Sequence, residues 1–235
     1  MRPLSQSLRL LGLSLLALGL LLALSPTAAA HTTVTAAARG IDEPTRIIAG
    51  DPIFSGTVSR CSIGAAVRTA TGTGGFLTAY PCGRPGDVVR SPDGTYGTVR
   101  WVDPELGVAF VETDEDWILT PHVRTSPGGA LKTIDGSREA PIGASLCRSG
   151  STTGWHCGTI QAKNQDVRFT WGTVIGLTRT SVCAEPGDTG GPFISGSQLQ
   201  GILLGGGGSC RTGGYTYFVP INPVLAKYRL MLVTV

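Results

Sequence analysis

One short glycine-rich segment of this sequence carries a hydroxyl group that could do chemistry. Residues 187–192 read GDTGGP, so Thr189 stands between an aspartate and two glycines. A threonine hydroxyl attacks a substrate only when a base takes its proton, as the terminal amine does in enzymes with an N-terminal threonine. Thr189 is internal, and its β-methyl group restricts χ1 and crowds the approach of a substrate. The function of the segment therefore depends on whether another residue can act as a base.

Separate stretches of the chain together resemble one family of extracellular enzymes. They are residues 183–192 (CAEPGDTGGP), 76–82 (FLTAYPC), 104–108 (PELGV) and 147–158 (CRSGSTTGWHCG). They resemble the chymotrypsin-like serine proteases, and within that family the bacterial branch of the streptogrisins and α-lytic protease. The resemblance runs from residue 47 to the C-terminus. It implies an all-β fold of two antiparallel six-stranded β-barrels with a cleft between them and a short C-terminal helix.

The resemblance also shows that the catalytic triad is degenerate. Pro81 stands at the position of the family's histidine, and proline has no titratable nitrogen and no backbone N–H. Glu105 stands at the aspartate position; Asp103 is a competing assignment, because residues two apart face the same side of a strand. Thr189 replaces the nucleophilic serine. Leu204 replaces a further serine that supports the aspartate, so we expect the family's hydrolysis to be lost or weak.

The binding parts of the cleft are retained in the sequence. By resemblance, the backbone N–H groups of Gly187 and Thr189 form the oxyanion hole. Leu204, Gly205 and Gly206 are expected to offer an extended edge to which a peptide adds as an antiparallel strand. The adjoining glycines, as far as residue 208, resemble the wall of a pocket for an apolar side chain. The alternative interpretation of these glycines is a flexible turn.

An ion pair is expected behind the oxyanion hole. Relatives pair the arginine of the CRSGSTTG segment with the aspartate of the nucleophile loop, which implies that Arg148 and Asp188 form a buried pair. The alternative is that Arg148 is a solvated turn residue. We favour the ion pair, because a buried Asp188 carboxylate would otherwise have no compensating charge.

Histidines elsewhere in the chain offer no clear replacement for the missing base. Three are present: His31, His122 and His156. We expect His31 near the mature N-terminus, His122 in the connection between the barrels, and His156 beside a disulfide. A catalytic base must lie within hydrogen-bond reach of the group it deprotonates, so all three are more simply read as structural or solvated.

The N-terminal region has the composition of a secretory signal. Residues 1–30 combine two arginines, a long apolar run and a small-residue end, which is typical of a cleaved signal peptide. Residues 31–46 are predicted to be a short pro-segment or linker, and residues 47–235 the double-barrel domain. The first 30 residues hold two of the 19 basic residues and none of the 16 acidic ones, so the remainder carries a net charge of +1. That balance gives no support for nucleic-acid binding or for membrane binding after signal cleavage.

The six cysteines lie outside the predicted signal, as expected for a secreted protein with disulfides. Sequence alone allows 15 pairings. The resemblance implies one of them: Cys61–Cys82, Cys147–Cys157 and Cys183–Cys210. Metal binding is disfavoured because no C-x-x-C pair is present and His156 lacks further ligands; no metal or cofactor is expected.

Short apolar segments separated by turn residues predict strands from residue 47 onward. They are residues 61–67, 74–78, 98–102, 108–111, 167–171, 199–204 and 215–219. A short helix is predicted over residues 222–228.

Three functions are compatible with this pattern. The leading hypothesis is a secreted, monomeric, catalytically inactive protease homologue (a pseudoprotease) that binds a peptide or protein in the inter-barrel cleft. The second is a serine-type endopeptidase-family hydrolase with weak activity through Thr189. The third is a stable secreted scaffold whose cleft binds nothing.

Overall fold

The computed structural model describes residues 45–235 except residues 57, 93, 95, 116, 127 and 128. The predicted signal peptide and the segment 31–44 therefore lie outside the described residues. The first strand begins at Thr45, two residues before the expected start of the domain. Among the described residues, no helix is long and apolar enough to cross a membrane.

Strands dominate the first half of the described chain. They are β1 (Thr45–Ala49), β2 (Pro52–Ser55), β3 (Val58–Ser62), β4 (Ala65–Arg68), β5 (Gly74–Ala79), β6 (Val88–Arg90), β7 (Tyr96–Asp103) and β8 (Val108–Thr113). A one-turn 3-10 helix follows β5 at Tyr80–Cys82.

The second half continues the same pattern and ends with a short helix. Its elements are β9 (Trp117–Arg124), β10 (Leu131–Thr133), β11 (Ser145–Gly150), β12 (Gly154–Phe169), β13 (Gly172–Thr180), β14 (Pro192–Ser195), β15 (Gln198–Ser209), β16 (Gly213–Pro220), α1 (Ile221–Tyr228) and β17 (Met231–Leu232). The predicted helix is confirmed and begins one residue earlier than expected.

Seven strands of the first half, β2 to β8, form a curled sheet with the C-terminal strand β17, in the order β17-β4-β5-β8-β7-β6-β2-β3. Strands β3 and β4 lie near its opposite ends, yet only residues 63 and 64 separate them in the chain. Three residue steps span at most about 10 Å, so the sheet must curl until these two strands approach each other. This part of the fold is therefore a curled eight-stranded sheet, the counterpart of the first β-barrel that the resemblance implies.

The second half is the closed six-stranded barrel that the resemblance implies, in the order β11-β12-β13-β16-β15-β14. The all-β fold with a short C-terminal helix is confirmed. A separate three-stranded sheet, β1-β9-β10, lies in the part of the chain that precedes this barrel.

Strand β15 shows why an uninterrupted apolar run occurs in a strand of this fold. Leu203 belongs to the core cluster inside the second barrel, with Phe193 and Phe218. Ile202 and Leu204 belong instead to the larger cluster that also contains residues of the first half. Because successive side chains of a strand point to opposite faces, β15 is covered on both faces. Packing on both faces holds β15 in place, and this strand leads to the cleft.

Candidate active-site cleft

The Thr189 loop is held between the two halves by backbone hydrogen bonds. The N–H of Ser62, at the end of β3, donates to the carbonyl oxygen of Thr189 at 2.8 Å. On the other side, Gly190 N–H donates to the carbonyl oxygen of Leu203 at 2.8 Å. The Cys61–Cys82 disulfide lies beside the same contact and anchors the 3-10 turn that contains Pro81. The structure thus places Pro81 and Thr189 at neighbouring points of one cleft.

Pro81 is partly exposed and offers this cleft no polar side chain. The preceding residue, Tyr80, donates its backbone N–H to the carbonyl oxygen of Gly107 at 2.9 Å, which joins the turn to the segment containing Glu105. Proline carries neither an ionisable group nor an N–H. Pro81 therefore supplies neither a base nor a backbone donor.

Glu105 and Asp103, the two alternatives for the acid position, have different environments. Glu105 is exposed in the turn between β7 and β8. Asp103 is only 4% exposed. Its Oδ1 accepts the backbone N–H groups of Glu105 and Leu106, each at 3.0 Å. Its Oδ2 accepts hydrogen bonds from Lys227 Nζ at 2.6 Å and Tyr228 Oη at 2.7 Å. Asp103 thus anchors the C-terminal helix.

The electrostatic environment of Asp103 follows from these contacts. Burial alone would raise the pKa of this carboxyl group. The hydrogen bonds and the charge of Lys227, with the hydrogen bonds from Leu106 and Tyr228, outweigh burial and hold the pKa below its usual value. Asp103 is therefore a charged structural group at neutral pH.

The hydroxyl of Thr189 makes no hydrogen bond to any residue that the structure describes. The two described histidines lie on other elements: His122 is on β9, and His156 is on β12 with Nε2 at 3.1 Å from the carbonyl oxygen of Thr153. Within residues 45–235, apart from the gaps, the cleft brings no base to the hydroxyl.

The loop preceding Thr189 is organised around the Asp188 carboxylate. Arg148 Nη2 lies 3.3 Å from Asp188 Oδ2, and both side chains are completely buried. The backbone N–H groups of Thr152 and Thr153 donate to Oδ1 at 2.9 and 3.0 Å. Oδ2 accepts Thr153 Oγ1 at 2.6 Å and the N–H of Glu185 at 2.9 Å. These contacts satisfy the buried charge and fix the loop.

Burial alone would raise the pKa of Asp188, but its partners have the larger combined effect. The charge of Arg148 and the hydrogen bonds from Thr153 and Glu185 hold this pKa below its usual value. The carboxylate is therefore ionised at neutral pH, as its role in the loop requires.

Gly187 exposes the backbone donors expected of an oxyanion hole. Its φ of +99° is a conformation that glycine adopts without strain. Its carbonyl oxygen accepts hydrogen bonds from Ser62 Oγ and Ser151 Oγ, both at 2.9 Å. The N–H groups of Gly187 and Thr189 have no acceptor among the described residues. Two backbone donors of this loop are therefore free in the described structure.

The strand edge beside this loop is also free over part of its length. Strand β15 pairs with β14 only as far as Ile202, whereas its pairing with β16 continues to Ser209. In the described structure, residues 204–209 therefore have a strand on one side only. Leu204 is buried in the core, and Gly206 is exposed.

Three aromatic side chains lie along this part of the cleft. The rings of Tyr80 and Trp171 are 5.8 Å apart, and Trp171 stacks on Phe169 with centroids 4.6 Å apart. A Cβ atom on Gly205 would lie 3.2 Å from the Phe169 ring. The cleft thus has an apolar aromatic wall next to the open edge of β15.

Comparison with known proteins agrees with this geometry. The trypsin family model matches residues 60–227, which include both halves of the fold and the Thr189 loop. The chain belongs to the trypsin family. Within this trypsin family it is similar to the bacterial chymotrypsin-like branch, as its motifs indicated.

Three relatives illustrate the similarity of this trypsin-family chain. Streptogrisin-C of Streptomyces griseus is 47% identical over 204 residues, which cover 84% of this chain and 44% of the relative. Serine protease 2 of Streptomyces fradiae is 34% identical over 177 residues, 72% of this chain and 100% of the relative. The crystal structure of Thermobifida fusca Protease A superposes with a TM-score of 0.76 at 49% identity, over 81% of this chain and 100% of that one. The chain thus spans less than half the length of the first of these.

The structure adds residues that the sequence analysis did not select. Arg60 packs against Gly187, and Lys227 and Tyr228 bind the Asp103 carboxylate. An aspartate followed by proline is a turn signal that could have pointed to the role of Asp103. Arg60 has no comparable signal, because its contact depends on a residue more than a hundred positions away.

Proposed function

We propose that this trypsin-family chain is a secreted streptogrisin-like homologue that no longer hydrolyses peptides and instead binds a peptide or protein segment in its cleft. The observation that carries the proposal is the state of Thr189. Its hydroxyl has no hydrogen-bond partner among the described residues, and Pro81 stands where a base is required. General-base removal of the hydroxyl proton is the step that makes such a nucleophile reactive.

Peptide binding is supported by the parts of the cleft that do not depend on a base. The free N–H groups of Gly187 and Thr189 can donate to a peptide carbonyl group. The unpaired side of β15 at residues 204–209 can accept an added strand, which binds through main-chain hydrogen bonds. The aromatic wall of Phe169 and Trp171 gives apolar side chains a surface to pack on.

Secretion is supported by the three disulfides, which the structure forms in the pairing implied by the family resemblance. Disulfides persist in oxidising compartments such as the extracellular space. We propose a monomer that acts outside the cell.

The first test is turnover of a chromogenic peptide with an apolar residue before the scissile bond. We expect the purified protein and its Thr189→Ala variant to give the same rate, because no base activates the hydroxyl. Removing triad members from working proteases leaves roughly 10³–10⁴-fold acceleration over water, so a low rate shared by both proteins is compatible with the proposal. A rate that falls in Thr189→Ala would contradict it and favour the second candidate, a weak hydrolase that uses Thr189. Family membership is the observation that keeps this candidate open.

The second test separates a binding cleft from an inert scaffold. Fluorescence anisotropy of a pool of fluorescein-labelled octapeptides would be measured with the wild-type protein, Thr189→Trp and Thr189→Val. Tryptophan fills the cleft at the loop, whereas valine keeps the size of threonine. We expect binding to the wild type and to Thr189→Val that is lost in Thr189→Trp. No binding to any of the three proteins would support the scaffold instead.

A further inference from the structure

A β-turn formed by residues 185–188 carries one of the two free backbone donors of the loop. The N–H of Asp188 donates to the carbonyl oxygen of Glu185 at 3.0 Å and closes the turn. The central residues are Pro186 and Gly187, and Gly187 has a φ of +99°. Proline at the second position and a positive φ at the third are typical of a type II turn. A type I turn has the same closing hydrogen bond, but the φ of its third residue is about −90°, so its central peptide plane is reversed.

The direction of this peptide plane decides whether the turn offers a free donor. Because a trans peptide is planar, its C=O and N–H groups point in opposite directions. The carbonyl oxygen of Pro186 accepts a hydrogen bond from Thr152 Oγ1 at 2.8 Å. The N–H of Gly187, which belongs to the same peptide, therefore points away from Thr152. In a type I turn the carbonyl oxygen, an acceptor, would lie on the side where this donor is now free.

The next turn of the loop, residues 188–191, has the same form but is fixed from both sides. Its third residue, Gly190, has a φ of +91°. The N–H of Gly190 donates to the carbonyl oxygen of Leu203 on β15, and the carbonyl oxygen of Thr189 accepts the N–H of Ser62 on β3, both at 2.8 Å. Backbone groups of two strands thus hold the central peptide of this second turn. Within the described residues, the central peptide of the first turn has a single side-chain hydroxyl as its partner.

The backbone of Thr152 places this hydroxyl over the first turn. Thr152 lies in the connection between β11 and β12, and its N–H donates to Asp188 Oδ1 at 2.9 Å. A Cβ atom on Gly187 would lie 2.2 Å from Thr152 Oγ1, so the side chain packs directly on this glycine. A carbonyl oxygen projects about 1.2 Å from the chain. A reversed peptide would therefore leave its nitrogen about 4 Å from Oγ1, which is too far for a hydrogen bond.

The hydroxyl of Thr152 thus contacts the turn in its type II form and loses this contact in the type I form. We infer that Thr152 is a positioning residue that keeps the 185–188 turn in the type II form and the Gly187 N–H free. Without the hydroxyl, the turn exchanges between the two forms and the donor is replaced by an acceptor for part of the time. This role belongs to the free protein and does not depend on whether the cleft binds a peptide.

Relaxation-dispersion and saturation-transfer NMR on the Gly187 amide nitrogen detect such an exchange between turn forms on the μs–ms timescale. The wild type is compared with Thr152→Val, which keeps the shape of threonine without the hydroxyl, and with Thr152→Ser, which keeps the hydroxyl. We expect the ratio of minor to major form in Thr152→Val to rise about fivefold, as expected for the loss of one neutral hydrogen bond. Thr152→Ser should match the wild type, and the Gly190 amide should show no exchange in any of the three proteins.

The melting temperature separates positioning from a purely structural role. Because Thr152 is exposed, Thr152→Val should hardly change the melting temperature while it changes the exchange at Gly187. A Gly187 amide without a second form in Thr152→Val would overturn the inference. So would a lowered melting temperature with the exchange at Gly187 unchanged.

The Gly187→Ala variant tests whether the turn has a second form at all. Alanine is strained at a φ of +99°, and its Cβ atom would collide with Thr152 Oγ1. We expect its crystal structure to show a type I turn, with a negative φ at position 187 and the Pro186 carbonyl oxygen turned away from Thr152. A positive φ retained at this position would contradict a two-form turn.

The positioning role of Thr152 and the proposed function fail independently of each other. Exchange that is unaltered in Thr152→Val would overturn the positioning role and leave peptide binding untouched. If the octapeptides do not bind the wild type while Thr152→Val shows the expected exchange, the proposed peptide binding is contradicted and the role of Thr152 is supported.

Discussion

Arg148 and Asp188 are buried completely, so each charge is stable only in the presence of the other. Arg148 also donates from Nε to the carbonyl oxygen of Cys183 at 3.1 Å and from Nη2 to Thr153 Oγ1 at 2.6 Å. The pair therefore connects β11 with the segment that carries Thr189. At the scale of single residues, this ion pair shapes the loop whose backbone N–H groups are free.

Replacing Arg148 should therefore destabilise the fold strongly. We expect Arg148→Ala to lower the free energy of unfolding by about 3–5 kcal/mol, because it leaves a buried carboxylate without its counter-charge. Urea denaturation monitored by tryptophan fluorescence measures the change. The exposed residue Arg68, changed to alanine, serves as the control and should alter stability by less than about 0.5 kcal/mol. A loss of under 1 kcal/mol in Arg148→Ala would contradict a structural role for the pair.

Among the elements, β15 forms one side of the cleft, and the C-terminal helix α1 contacts this strand. Strand β15 is paired with β16 directly at Gly206, which lies opposite Thr216. Helix α1 buries Ile221 and Val224 and is tied to β7 by Asp103. Strand β15 offers a free edge to a ligand. Helix α1 packs against the core and is held in place by Asp103.

The glycines of β15 should differ sharply in their tolerance of a methyl group. A Cβ on Gly206 would lie 2.1 Å from the carbonyl oxygen of Tyr215, which is backbone and cannot move without distorting β16. A Cβ on Gly205 would meet only the edge of the Phe169 ring, at 3.2 Å. We expect Gly206→Ala to cost about 2 kcal/mol or more and Gly205→Ala less than about 1 kcal/mol. Thermal unfolding of the matched pair checks this order, and equal melting temperatures would contradict it.

The anchor of α1 should be lost when Asp103 is changed. Asp103→Asn removes the charge that holds Lys227 and Tyr228, and we expect a loss of about 2 kcal/mol from hydrogen bonds to a charged group. Hydrogen exchange of the amides in Ile221–Tyr228 should accelerate, while that of the second-barrel core around Phe193 should change little. Exchange that is unaltered in the helix would show that its apolar contacts alone hold it.

The same anchor predicts a dependence on pH. The folded-state pKa of Asp103 is lowered, so the stabilisation is complete at neutral pH and is lost as the pH falls through that value, below the ordinary aspartate pKa of about 4. Protection of α1, corrected for intrinsic exchange rates, should be constant from pH 7 to 5 and decrease only below about pH 4. A decrease in the protection of α1 that is already complete at pH 5 would contradict the assignment of this pH dependence to Asp103.

On the scale of the whole molecule, the cleft is made by both halves of the fold. The first half contributes Pro81 and Arg60, and the second contributes Gly187, Thr189 and the edge of β15. The backbone contact between Ser62 and Thr189 and the shared apolar cluster keep the two contributions in register. Pro81 and Thr189 are thus contributed by different halves of the fold.

Placing a histidine at position 81 and a serine at position 189 should recover part of the family's activity. In the Pro81→His, Thr189→Ser double variant a base and a nucleophile are present without an orienting aspartate. We expect turnover about 10²-fold above either single variant, since loss of the third triad member is less damaging than loss of the first two. The chromogenic peptide assay measures it, with the two single variants as controls. A double variant no faster than the single variants would contradict this prediction.

Much of this protein is determined by its sequence. The alternation of apolar segments with turn residues determines an all-β fold, and the cysteine-bearing motifs match disulfides that the structure forms. Residue identity at three motif positions predicts a degenerate triad, and this stays a prediction. These properties are local or are carried by motifs, so they can be recognised without coordinates.

Tertiary structure alone decided which groups are exposed, paired or free. Asp103 and Glu105 are alternatives in the sequence; the structure buries the first against Lys227, 124 residues away, and exposes the second. Arg60 comes to lie over Gly187 because β3 and the Thr189 loop belong to different halves of the fold. The physical reason is that burial and charge pairing depend on distances in space between segments that are far apart in the chain.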